Sequence, residues 1–84
     1  MRRIILDCSS IHDAKKLHGV LKEALQLPEW YGYTLDALFD CLTELEEETL
    51  LVLTGWTQTA YSGGFEAVFA DAAMESALFT YTIA

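Results

Sequence analysis

The hydrophobic positions alternate between the two-residue period of strands and the longer period of helices. Residues 3–7, Arg3-Ile4-Ile5-Leu6-Asp7, form a short β-rich run. Ser10 then offers a helix N-cap with Asp13 three positions on, an approximate capping box. Ile11, Ala14, Leu17, Leu21, Ala24 and Leu25 follow at the spacing of one helical face, with Lys15, Lys16 and Lys22 mainly off it. Pro28 closes this first helix, because the residue before a proline is pushed out of the α region. Residues 28–34 read as a loop with three aromatics and one glycine. Thr34 can cap a second helix whose stripe is Leu35, Leu38, Phe39 and Leu42, at i, i+3, i+4 and i+7. Glu46-Glu47-Glu48 is a solvated connection. Leu50-Leu51-Val52-Leu53 is the continuous apolar run expected of a strand in the middle of a parallel sheet. After a turn-rich stretch over residues 55–64, Phe65, Val68, Phe69 and Ala72 mark a third helix, and residues 78–83 supply the last strand.

The order β-α-α-β-α-β separates every pair of strands by helical crossovers. That predicts an α/β fold in which helices pack on a three-stranded parallel sheet. Eighty-four residues make one domain, 1–84, and no repeat or linker divides it. A domain of this size buries only about 60% of its unfolded surface, so an apolar core must stabilise it. A 52% hydrophobic composition can supply that core without disulfides or a structural metal. No apolar run approaches the ~18 residues that span a bilayer, so no membrane partner is expected. The N-terminal apolar run is three residues, against roughly 7–15 for a secretory core. A cytoplasmic location is the expectation. Cys8 and Cys41 fit no metal-ligand spacing and form no CxxC pair, so they read as reduced thiols inside the domain.

Charge changes the picture. The net value is −8, but residues 1–22 carry all five bases and stand at +3, whereas residues 23–84 stand at −11 with no base at all. Phosphates would be repelled, which argues against nucleic acid as a partner. A basic protein suits such a surface, although acidic surfaces also serve solubility alone. Asp36 and Asp40 lie i, i+4 on the second helix, off its apolar stripe, with Thr43 a turn further on. Their Cα atoms are about 6 Å apart along the axis, and like charges at that spacing weaken a helix by roughly 0.2–0.5 kcal/mol. Trp30, Tyr31 and Tyr33 crowd the loop before them, with Tyr31 expected to be the buried one. Aromatics beside acids on a loop are the composition of a protein interface. An enzyme would need more. No histidine or third acid is placed beside the aspartates, His12 and His18 belong to the first helix, and no glycine-rich phosphate loop is present. No catalytic residue, metal or cofactor is therefore expected.

Residues 25–43, LQLPEWYGYTLDALFDCLT, closely resemble the signature of the barstar family of ribonuclease inhibitors. Leu17-His18, Leu21-Lys22-Glu23 and the Val68-Phe69-Ala70-Asp71-Ala72 segment are also similar to that family, and the resemblance is weakest over residues 44–64. It implies a barstar-like sheet with three helices, or four if the short Trp56–Gly64 connection keeps the family's extra helix. It implies one-to-one inhibition of a basic extracellular ribonuclease related to barnase, by an inhibitor that is monomeric when free. Asp40 matches the aspartate that replaces a substrate phosphate in the enzyme's cleft, and Asp36 matches a second charged contact. Trp30 matches a stacking tyrosine, Gly32 a backbone contact and Thr43 a hydroxyl contact. Asp71 stands for a glutamate one methylene longer. Tyr33, Thr34, Phe39 and Glu44 depart from the family's type member (which has an acid, an asparagine, a tryptophan and a glycine), and with Leu35 they complete the expected contact set. The departures leave open an alternative role as an immunity protein or interaction module against a different basic toxin or partner.

Overall fold

The computed structural model describes all residues, Met1–Ala84. Six elements follow one another: β1 (Arg2–Asp7), α1 (Ala14–Leu25), α2 (Leu35–Thr43), β2 (Thr49–Thr54), α3 (Ser62–Glu75) and β3 (Phe79–Ile83). The sheet order is β1-β2-β3 and both pairings are parallel, with Ile5, Val52 and Thr82 in one cross-strand row. This is the three-helix α/β arrangement read from the pattern. Residues 55–61 form no fourth helix. None of the helices is long and apolar enough to cross a membrane.

The helices cover one face of the sheet. Leu51, Leu53 and Phe79 are fully buried there, joined by Leu17, Leu21 and Leu25 of α1, Leu38 and Leu42 of α2, and Phe65, Phe69 and Ala72 of α3. On β1 the alternation is plain: Ile4 and Leu6 pack on the core, whereas Arg3, Ile5 and Asp7 are exposed. The run Leu50-Leu51-Val52-Leu53 is central, as a continuous apolar stretch requires.

The helix ends correct two details of the sequence reading. Asp13 rather than Ser10 caps α1, its carboxylate accepting the Lys16 N–H at 2.7 Å. His12 accordingly lies ahead of α1 and not on it. A carboxylate one residue before the helix bonds an orphan N–H and meets the positive helix end, an advantage a serine hydroxyl lacks. At the other end α1 stops at Leu25, with Gln26 in the left-handed conformation, and Pro28 comes two residues later to prevent resumption. Upstream of α3, Thr59 and Ser62 bond each other's backbone N–H through their hydroxyls, at 2.8 and 3.1 Å, so that helix begins three residues earlier than Phe65 suggests.

Gly55 follows β2 with φ of +65°, and a Cβ there would sit 2.9 Å from the Ser9 backbone nitrogen. Gly55→Ala is expected to destabilise the domain by at least about 1–2 kcal/mol from the left-handed conformation alone. The backbone collision adds to that figure, so the urea midpoint should fall clearly.

Candidate functional site

α2 is short, nine residues, and its ends are well satisfied. The Thr34 hydroxyl accepts the Ala37 N–H at 3.1 Å, and the Glu44 N–H closes the other end on the Asp40 and Cys41 carbonyls. Leu38, Cys41 and Leu42 turn inward, so Asp36 and Asp40 are left exposed on the outer side of the helix. The side-chain hydrogen bonds formed along α2 belong to Thr34 and Thr43 and engage neither carboxylate. Asp36 gains from the positive N-terminal end, whereas Asp40 lies too far along to do so. The negative field reaches inward. Burial first, then the charges of Glu44 and Asp40, push the Cys41 thiol up, so it stays protonated at neutral pH. Cys8 is raised mainly by burial, with the Asp7 charge adding to it.

The loop before α2 carries the rest of the set. Trp30 is 64% exposed, and Gly32, Tyr33 and Thr34 are exposed with it. Tyr31 is buried, as expected. Its hydroxyl is hydrogen-bonded to Nδ1 of His18 on α1. His18 also lies with its ring centroid 4.7 Å from Phe65 and 5.8 Å from Tyr33. Burial pushes the His18 imidazole below its ordinary range. Sequence spacing places His18 on the first helix and gives it no partner. It is in fact the side chain that ties the loop to α1. No periodicity joins positions thirteen residues apart on different elements, so nothing local could have revealed the bond.

Tyr33 adds a strained position. Its φ is +57°, the left-handed region that costs a non-glycine residue about 1–2 kcal/mol. The ring offsets this by packing 5.5 Å from Tyr31, and its hydroxyl comes within 3.6 Å of where a Cβ on Gly19 would lie. Strain of this kind persists where surrounding contacts over-determine the backbone, and it gathers at recognition sites.

The other expected contacts divide. Glu44 is exposed at the end of α2, and Asp71 is exposed on α3. Leu35 and Phe39 are half-buried and pack on the core as well as facing outward. Thr43 turns its hydroxyl back to donate to the Phe39 and Asp40 carbonyls, leaving its oxygen as an acceptor only. A groove of about 340 Å³ runs beside Trp30, lined in part by Pro28, Cys41, Glu44, Leu45 and Glu46. No three His, Cys, Asp or Glu side chains converge to hold a metal ion. What the arrangement offers chemically is a rigid display of exposed carboxylates flanked by an exposed aromatic ring.

Comparison with known proteins is consistent with that geometry. A curated protein of Bacillus subtilis (strain 168), named "Putative ribonuclease inhibitor YrdF", is 40% identical over 76 residues, covering 89% of this chain and 80% of that protein. Residues 1–81 match the family described as Barstar (barnase inhibitor). With nearly the whole length matched, and with the parallel sheet and helix order already in place, the chain belongs to the barstar family.

Proposed function

We propose that this protein inhibits a basic secreted ribonuclease of the barnase type, one inhibitor to one enzyme, by seating α2 and the loop before it in the enzyme's cleft. The observation that carries the reading is the pair Asp36 and Asp40, exposed on α2 and engaged in none of its side-chain hydrogen bonds. An RNA cleft displays arginine, lysine and histidine cations where phosphates bind. Carboxylates on a rigid helix can take those places with their positions already set, so little ordering entropy is lost on docking. Trp30 supplies a broad, rigid contact surface with few rotatable bonds beside them. The B. subtilis relative's name supports ribonuclease as the partner class. In this reading Trp30, Gly32, Tyr33, Thr34, Leu35, Asp36, Phe39, Asp40, Thr43, Glu44 and Asp71 form the contact set, and the protein works in the cytoplasm.

The acidic surface also steers encounter with a basic enzyme, an effect for which the barnase–barstar pair is itself the reference case. The test is an RNA-cleavage assay on a panel of barnase-related ribonucleases with the purified protein added. Stoichiometric inhibition of one or more of them is expected, with an association rate that drops as salt rises. A panel left uninhibited at micromolar protein would overturn the reading.

A further inference from the structure

All three lysines of the chain lie on α1, and residues 23–84 hold no base. They line one feature, a groove of about 730 Å³ between α1 and the loop that precedes α2. Along α1, Lys15 and Lys16 stand before Gly19 and Val20 of the groove wall, and Lys22 stands after them. The side-chain hydrogen bonds made on α1 and at its cap belong to His18 and Asp13 and engage none of the three ammonium groups. Asp13, Glu23 and Glu29 line the groove as well, so its charges balance, whereas the whole chain stands at −8. Of those acids, Asp13 is already bonded to the Lys16 N–H at the helix cap. This is the least anionic part of the surface around the loop.

The groove opens onto the recognition surface. Tyr33 lines it, is 38% exposed, and immediately precedes Thr34, the cap of α2. Its left-handed backbone and its packing on Tyr31 and His18 hold the ring at the edge of the groove. A ribonuclease seated on α2 and the loop therefore has surface beside the lysines. An enzyme face that was basic throughout would be attracted by Asp36 and Asp40 and repelled a few residues away. Like charges brought together across a contact are strongly unfavourable. The three cations are compensated only where the enzyme presents carboxylates of its own. We propose that the groove between α1 and the loop is a second contact with the target ribonuclease, in which Lys15, Lys16 and Lys22 receive an acidic segment of the enzyme beside its basic cleft. Charge pairs at such an edge fix the register of docking and reject enzymes of the wrong pattern, so the groove selects among basic ribonucleases. This second contact rests on the inhibitory reading and adds α1 to it.

The sign of a charge change separates the contact from steering alone. Extra negative charge anywhere on the inhibitor speeds encounter with a basic enzyme. Arg3→Glu, at an exposed position of β1, should therefore bind an inhibited ribonuclease of the panel as tightly as the wild type, or more tightly. Lys15→Glu combined with Lys16→Glu, and Lys22→Glu alone, should instead weaken binding by roughly threefold to tenfold, with faster dissociation. Carboxylates in the first turn suit the positive end of α1, so the double variant is expected to fold, and circular dichroism checks each protein. Zero-length coupling with a water-soluble carbodiimide, which joins an amine to a carboxylate in contact, gives a second readout. It should link Lys15, Lys16 or Lys22 to an aspartate or glutamate of the bound enzyme. Groove variants that bind as tightly as Arg3→Glu overturn the second contact and leave the inhibitory reading standing. So does a pattern of cross-links in which none of the three lysines joins the enzyme. A wild-type protein that inhibits no ribonuclease of the panel overturns both.

Discussion

Asp40→Ala is expected to weaken binding to an inhibited ribonuclease by roughly two to four orders of magnitude, about 3–5 kcal/mol, while the free domain becomes more stable. In the complex proposed above the Asp40 carboxylate takes a place among the enzyme's cations, and removing one partner from such a group leaves the others buried and unpaired. In the free protein the same carboxylate brings only costs. It repels Asp36 one turn away, it lies too far along α2 to gain from the helix N-terminus, and alanine is the better helix former. The gain should be about 0.5–1 kcal/mol. Titration of inhibition against enzyme gives the first quantity, and thermal melts of the isolated variant give the second. A variant that melts earlier than wild type, or that inhibits equally well, would show that Asp40 has a structural role and does not serve recognition.

Tyr31→Ala should cost about 3–5 kcal/mol of stability, as for other buried aromatic rings removed from a small core. The more informative change is Tyr31→Phe. It keeps the ring against Tyr33 and His18 but strands His18 Nδ1 without a partner, a loss of about 1–3 kcal/mol. Because that bond anchors the loop bearing Trp30 and Gly32, inhibition should weaken along with stability. The same pair predicts a pH dependence. Burial lowers the His18 pKa in the folded state, so the unfolded chain binds the proton more readily. This contribution is complete above the ordinary histidine value of 6.5 and is lost as pH falls below it. Urea midpoints between pH 7.5 and 5 should fall with acidification in the wild type and stay flatter in His18→Gln. Parallel profiles for the two proteins would assign the dependence to other groups.

Some of this was written locally in the sequence, and some was not. The element order, the central place of Leu50-Leu51-Val52-Leu53, the Thr34 cap and the exposure of Asp36 and Asp40 were all legible. Each is a consequence of periodicity or of groups three and four residues apart, and short-range geometry is fixed by the chain itself. The choice of Asp13 over Ser10 as cap was not legible, since two adequate caps compete and only the final path of the chain between β1 and α1 selects one. Neither was the bond between His18 and Tyr31, nor the left-handed backbone at Tyr33. Those depend on which side chains meet when α1, the loop and α3 close around one core. The bare face of the sheet belongs to the same class. An apolar run such as Leu50–Leu53 announces a strand buried on two sides, but whether its second side is covered within one chain depends on where every helix finally packs.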